Sequence, residues 1–285
     1  MNTWDPLSPE AIAPLVRNTI FSGNIHCYRT AASTNSLALE AAARSGNDAA
    51  PEGAVFLAEE QTAGRGRGGH SWHSEPGTGV YASFLLRPAM SPADALWLSL
   101  ITGIAVQDAV RETTGLQPDL RWPNDLLLQE RKFCGILTEM SSELTRVQHA
   151  VIGIGINVNQ EHFPSELGSQ VTSLRLESGR EWSRVEVVAA LMRCLDREYR
   201  GLVRTLAGPV RTPNLRFAPL IMRVESRSSY AHDKLVYVDE DGGYTGMTDG
   251  LDPRGFLRVH TQQGLRIVVS GGVRPLPRRV DATGS

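Results

Sequence analysis

With 285 residues, the chain has room for one large domain and a small companion. Hydrophobic residues make up 41% and charged residues 21%, with 27 Gly and 16 Pro, a near-average globular balance that excludes collagen-like repeats, coiled coil and wholesale disorder. The formal net charge of -2 gives no global pull toward nucleic acid or an anionic membrane, so any phosphate binding has to be local.

In chain order, Ser8-Pro9-Glu10 opens a short first helix, with Ser as cap and Pro at the first helical position, and Pro14 ends or bends it. The amino terminus lacks the basic start and apolar run of a secretory signal. A strand-like segment over 25–28 is followed by an alanine-rich helix over 33–44, closed by Gly46. Residues 54–59 and 80–86 read as strands, and the long Gly-rich loop over 60–79 between them is functional or mobile by its length. Ser91-Pro92 caps a helix to about residue 113, with Leu96, Leu100 and Ile104 on one face and Gly115 as its stop. Its apolar part, 95–106, is too short and too interrupted by Ser and Thr for the ~20 residues of a membrane span. A cytoplasmic protein with no membrane partner is expected.

Three β-rich runs follow at 120–128, 133–140 and 147–158, joined by turns that suit antiparallel pairing. Ser183 and Glu186 form a capping box for a helix to about residue 203, with Val187, Leu191, Leu195 and Tyr199 on its buried face. Residues 206–219 hold three prolines and read as a linker. Beyond it, short strands at 234–238, 243–248, 255–260 and 265–269, separated by Asp/Gly turns, predict a small all-β barrel. The fold class is therefore α+β, with domains over 1–215 and 222–279. Cys27, Cys134 and Cys194 are isolated and odd in number, so free thiols are expected and neither disulfide nor zinc site is.

Four segments carry chemistry. In Gln61-Thr62-Ala63-Gly64-Arg65-Gly66-Arg67-Gly68-Gly69-His70-Ser71-Trp72 a formal G-x-G-x-x-G is present, but HSWHSEPGTG after it cannot be a helix, which rejects a dinucleotide fold. What remains is either a cradle of amide N–H groups and two guanidinium forks for one small anion, or a solvated loop. No P-loop signature exists. Arg121-Trp122-Pro123-Asn124-Asp125 and Lys132-Phe133-Cys134-Gly135 lie within one hairpin, so Asp125 and Lys132 can share a pocket edge; Asn-Asp after Pro is otherwise an ordinary turn. Of 29 basic residues only Lys132 and Lys234 are Lys, and a compact ammonium is the property Lys132 would supply to an anionic reacting group. Residues 151–159 alternate Gly with β-branched residues, leaving one strand face bare for a ligand or a close backbone, with Asn157 and Asn159 on one side. Ser33-Thr34-Asn35 is either a helix cap or a set of polar groups for a ring or carboxylate. Arg258, Arg266, Arg274, Arg278 and Arg279 are read as a solvated face rather than a nucleic-acid surface.

In order and spacing, Ser33-Thr34-Asn35, the 61–67 loop, Arg121-Trp122-Pro123-Asn124-Asp125, Lys132-Phe133-Cys134-Gly135-Ile136-Leu137 and Gly153-Ile154-Gly155-Ile156-Asn157 resemble the biotin protein ligases, that is, biotin–[acetyl-CoA carboxylase] ligases. The resemblance implies a mixed, mostly antiparallel sheet with helices, shared with class II aminoacyl-tRNA synthetases and lipoate ligases, and an SH3-like carboxyl-terminal domain. It implies ATP-dependent formation of biotinyl-AMP and transfer to a lysine of a biotin carboxyl carrier protein, with Mg²⁺ carried mainly by the ATP phosphates and no protein metal site. Ser33, Thr34, Asn35, Gln61, Gly64, Arg65, Gly66, Arg67, Lys132, Gly135 and Gly153 would line biotin. Arg65, Arg67, Trp72, Lys132 and Asn157 would meet the adenylate. Lys132, Arg67 and Asp125 would be the catalytic set, Asp125 orienting or deprotonating the acceptor amine. His70 stands where the family's loop has a third arginine and is given no role. With 32 residues before Ser33, no operator-DNA module and no DNA partner are expected, and a homodimer is left open. A lipoate or octanoate ligase of the same fold, and a non-catalytic biotin sensor, are the alternatives.

Overall fold

A computed structural model describes residues 6–208 and 215–276. Its central sheet joins β1 (Ile25–Tyr28), β2 (Val55–Ala58), β3 (Gly79–Leu86), β4 (Asp119–Arg121), β5 (Asp125–Leu128), β6 (Arg131–Ser142) and β7 (Val147–Asn157) in the order β1-β2-β3-β7-β6-β5-β4. Only β1 and β2 run parallel. The two faces differ because the strands alternate unequally. On β7, Ile152, Ile154 and Ile156 enter the main core, shared with Trp97, Leu100 and Ile104 of α3 (Leu96–Thr114) and Val187, Leu191 and Leu195 of α5 (Arg184–Ala207).

The opposite face is covered by a helix over only part of its width. There α2 (Thr34–Ala43) sets Ala38, Ala41 and Ala42 against Phe56, Leu85 and Val151. Small side chains let this helix sit low on the sheet, and the glycine-rich chain over 60–79 roofs the rest. Layer order and sheet type agree with the α+β expectation.

Two helix starts, at Ser8 and Ser183, follow the expected caps, whereas Ser91 opens a 3₁₀ turn (Pro92–Asp94) ahead of α3 and makes no side-chain cap bond. The hydroxyl of Ser8 accepts from Ala11 N in α1 (Pro9–Ile12), which passes into a 3₁₀ turn at Pro14. In the same way, Ser183 accepts from Glu186 N in α5. Gly115 ends α3 in the left-handed conformation at φ 76°. By length and composition the stretch Pro92–Thr114 could cross a membrane, contrary to the shorter estimate from 95–106, yet 78% of its most apolar window is buried. It is the central core helix.

Three expectations need correction. The run 120–128 is two strands, because Pro123 has no N–H for a ladder and Trp122-Pro123-Asn124 makes the turn of the β4–β5 hairpin, with a cis bond before Pro123. Part of the 206–219 linker is helical: α6 (Ala218–Glu225) follows short α4 (Leu174–Ser178) and α5, with Pro219 tolerated in its first turn, while 209–214 lie outside the described residues. The C-terminal sheet has a fifth strand. It comprises β8 (His232–Asp239), β9 (Tyr244–Leu251), β10 (Leu257–Thr261), β11 (Gly264–Val268) and β12 (Gly272–Pro275), all antiparallel, in the order β11-β10-β9-β8-β12.

This small sheet is docked on the large one. Trp122 Nε1 donates to Gly255 O at 2.9 Å, Gln107 Nε2 to Arg227 O at 2.8 Å, and Arg227 pairs with Asp108 at 2.6 Å. Its arginines are neutralised locally, Arg258 by Asp249 at 2.8 Å and Arg266 by Asp241 at 2.7 Å. Arg278 and Arg279 lie outside the described residues.

A buried ion pair unseen in the sequence joins the end of β2 to the start of α5. Glu59 meets Arg184 at 2.5 Å, with side chains 10% and 2% exposed, and also accepts Leu7 N–H at 2.7 Å. Removing one partner strands a buried charge. Glu59→Ala should therefore cost about 3 kcal/mol of unfolding free energy in urea titrations; a loss below about 1 kcal/mol would mean that the pair contributes little.

Candidate active site

Gly135 on β6 and Gly153 and Gly155 on β7 form a stripe without side chains on the open face. A Cβ at Gly153 would lie 2.2 Å from Asn35 Oδ1; at Gly155, 2.4 Å from the Trp72 indole; at Gly135, 2.9 Å from the same ring. No real Cβ tolerates such contacts, so these glycines are the condition for Asn35 and Trp72 to lie on the sheet. The bare face read from the sequence is thus occupied by two side chains. Trp72 Nε1 is buried with no hydrogen-bond partner.

Over that stripe the glycine loop is ordered by its own backbone. Gly66 N donates to His70 O at 2.6 Å and Trp72 N to Gly64 O at 2.9 Å, around a turn in which Gly68 and Gly69 have φ of 64° and 81°. Those angles favour glycine. A side chain at Gly64 would collide with Trp72 O, so Gly64 supports the loop from behind and is not part of the cavity wall.

The floor is a connected polar network. Ser33 precedes α2 but its hydroxyl makes no cap bond; instead Gln61 Oε1 accepts from Thr34 N at 2.9 Å and from Thr34 Oγ1 at 3.2 Å. Gln61 Nε2 donates to Ser74 Oγ at 3.0 Å. Fully buried Ser83 places its hydroxyl 2.8 Å from Thr34 Oγ1 and 2.5 Å from Asn35 Oδ1. Asn35 Nδ2 donates to Glu139 Oε2 at 2.8 Å, and Arg65 meets the same oxygen at 2.7 Å.

At the other end stands Lys132, placed there by a β-bulge. Asp125 pairs with Gly135 and Leu126 with Cys134, but Leu127 pairs with Lys132, so Phe133 is the extra residue. Without it the alternation would carry Lys132 to the core face; with it Lys132 joins Gly135 on the open face and Phe133 is buried. Lys132 Nζ lies 2.6 Å from Asp125 Oδ1, whose other oxygen takes Arg121 at 2.7 Å. Burial alone would raise the Asp125 carboxyl, but the charges and hydrogen bonds of Lys132 and Arg121 outweigh it and hold it below the usual carboxylate range. Two cations on one anion leave this end net positive.

Arg67 reaches across to the small sheet. Its Nη2 donates to Ser270 O at 2.5 Å and Nη1 to Gly271 O at 3.5 Å, and burial lowers its pKa despite the nearby Asp125 and Glu240 carboxylates. Glu240 in turn fixes that strand connection by accepting Val269 N at 2.9 Å and Ser270 N at 2.7 Å.

Of the expected site residues, Ser33, Thr34, Asn35, Gln61, Arg65, Gly66, Arg67, Trp72, Lys132, Gly135 and Gly153 line one cavity. Asp125 lies on the adjoining cleft between the two sheets, with Arg274 on its far side. Asn157 is absent from both walls: it continues the face of Gly155, but its Nδ2 donates to Thr172 O at 3.0 Å and tethers the chain that bridges to Lys132. Asn159 likewise holds the backbone of Trp182. Sequence reasoning missed Ser83, Glu139 and the Ser270–Gly271 carbonyls. Ser83 was legible as the lone polar residue between apolar neighbours on β3, whereas Glu139 lies among Thr138, Ser141 and Ser142 and is marked out by no such pattern. The third depends on docking of a separate sheet. Among the described residues no group of three or more His, Cys, Asp or Glu gathers that could hold a metal ion.

A floor of hydrogen-bonding groups, a glycine roof with arginines and a positive far end fit a domain that activates a carboxylic acid. Residues 29–157 match the model of the Biotin/lipoate A/B protein ligase family. The Bifunctional ligase/repressor BirA of Bacillus subtilis (strain 168) is 35% identical over 229 residues, covering 80% of this chain and 67% of that protein. The Biotin--[acetyl-CoA-carboxylase] ligase of Mycobacterium tuberculosis is 33% identical over 250 residues, 85% of each chain. A biotin protein ligase from Aquifex aeolicus, solved in complex with biotin and ATP, superposes with a TM-score of 0.73 at 28% identity, over 89% of this chain and all of that one. The chain belongs to the Biotin/lipoate A/B protein ligase family, among its biotin protein ligases.

Because the folded Asp125 pKa lies below the unfolded value of about 3.9, its contribution to stability is complete above that pH and is lost as pH falls toward the folded value. The stability difference between wild type and Asp125→Asn should be largest at neutral pH and shrink below about pH 4. Urea midpoints measured across that range check it; a difference independent of pH would show that the carboxylate charge is not what holds the cluster.

Proposed function

We propose that this chain joins biotin to ATP, forming biotinyl-5'-AMP and pyrophosphate, and transfers the biotinyl group to a lysine of a biotin carboxyl carrier protein. The observation that carries this reading is one cavity with a hydrogen-bonding floor at one end and Lys132 at the other, where Asp125 and Arg121 of the adjoining cleft hold it in a net positive cluster. A cyclic urea can exchange hydrogen bonds with Thr34 and Asn35, whereas a lipoyl dithiolane would bury those groups against sulfur and carbon. The Mycobacterium tuberculosis relative is a biotin–[acetyl-CoA-carboxylase] ligase, and the carrier of that carboxylase is the acceptor we assign.

In the first half-reaction a biotin carboxylate oxygen attacks the α-phosphorus of ATP, the new acyl–phosphate bond forms, and pyrophosphate leaves with the broken bond. Two anions must be held together. Lys132 Nζ neutralises the carboxylate and the α-phosphate as a point charge, Arg67 covers the phosphate from the roof, and the unpaired Trp72 indole N–H offers a further donor. In the second half the acceptor lysine attacks the acyl carbon and AMP departs. Asp125, committed to two cations and held below the usual carboxylate range, is a weak base; its part is to hold Lys132 in place. The Asp125 carboxylate is already engaged by Lys132 and Arg121, and that of Glu139 by Arg65 and Asn35, so neither is free to hold Mg²⁺.

The division we propose, 1–215 for the catalytic unit and 222–279 for the small SH3-like domain, leaves α6 across the junction. Arg67 of the first unit bonds carbonyls of the second, so the small domain contributes to the roof.

Incubation with ATP, Mg²⁺, biotin and a carrier domain, followed by detection of biotinylated lysine, tests the activity; exchange supported by lipoate but not biotin would contradict it. Lys132→Gln should lower biotin-dependent pyrophosphate exchange by roughly two to three orders of magnitude. Retention within a few-fold of wild type would remove Lys132 from the chemistry. Arg67→Gly should loosen the roof and release adenylate that labels bystander lysines, measured as biotin on added serum albumin; stoichiometric retention of the intermediate would count against the roof.

A further inference from the structure

We propose that Glu139 is a positioning residue that sets ligand orientation and selectivity through Asn35 and Arg65, without touching the substrate; this rests on the biotin reading above. An asparagine amide can face either way, and its partners decide which end points where. Asn35 Nδ2 lies 3.3 Å from Leu137 O and 2.8 Å from Glu139 Oε2. Both are acceptors, so both amide N–H groups are consumed there. Oδ1 is thereby turned toward Ser83 Oγ at 2.5 Å and the bare backbone of Gly153.

Only an acceptor is left to meet a ligand. The neighbouring ligand group must donate, as a urea N–H does and a thioether or carbonyl does not. Glu139 reaches this point because Gly135, Leu137 and Glu139 alternate onto the same face of β6. Its Oε2 also takes Arg65 Nη2 at 2.7 Å, so one carboxylate oxygen ties the floor to the roof. The pairing cancels charge at this end, which suits a neutral headgroup, while the positive end lies at Lys132.

Glu139→Gln keeps the size but replaces one acceptor oxygen by a donor and removes the charge. The amide of Asn35 is then free to turn, and Arg65 loses its anchor. In biotin-dependent pyrophosphate exchange the biotin KM should rise about tenfold or more, while kcat, the ATP KM and the melting temperature stay within about twofold or a few degrees of wild type. Wild type should discriminate against biotin methylated on a urea nitrogen, and the variant should do so less. Should the variant fold poorly, Glu139→Asp, too short to reach both partners, gives the same readouts. An unchanged biotin KM and unchanged discrimination in a folded variant overturn the role of Glu139. A wild-type protein that does not activate biotin overturns the substrate reading instead.

Discussion

A strip of sheet with no side chains is the constraint on which the site depends. Gly135, Gly153 and Gly155 give up strand stability to leave the backbone of β6 and β7 open to close approach. Everything functional is arranged relative to that strip. The Asn35 amide rests on one part, Trp72 on another, and the ordered glycine loop spans it. A single methyl at either β7 position would meet one of these groups at less than 2.5 Å.

Two further devices aim charge at this strip. The bulge at Phe133 transfers Lys132 from the core face to the open face, and Asp125 with Arg121 holds it there. On the roof, Arg67 is held by carbonyls of the small sheet, whose connection is in turn gripped by Glu240. A large sheet supplies the floor and the fixed cation, while the loop is held by contacts that a ligand's anion would have to rearrange or share. This links the two domains to one chemical task.

Much of this was legible in the residues themselves. The helix caps at Ser8 and Ser183, the stop at Gly115, the alternation of β7 and the antiparallel runs all follow from local rules, and the structure keeps them. The neighbourhood of Asp125 and Lys132 was readable too, though not the bulge that brings them onto one face, because a single extra residue leaves no compositional trace. Asn157 ends the bare strand face, and there its amide tethers the following chain through Thr172 O, a partner that no local pattern marks. The Glu59–Arg184 pair and the Arg67 contact to Ser270 join residues far apart in the chain, and no local pattern announces such encounters.

The central claim is that Asn35 and Trp72, laid on the glycine strip, wall the cavity of a ligand whose anionic group spans Lys132 and Arg67. A crystal structure with a non-hydrolysable analogue of the acyl-adenylate tests it most directly. The expected result is bicyclic rings in the cavity beside Asn35 and Trp72, a urea N–H on Asn35 Oδ1, and a phosphate oxygen within about 3.5 Å of both Lys132 Nζ and the Arg67 guanidinium. Rings lying outside that cavity, or a phosphate in contact with neither cation, would contradict it.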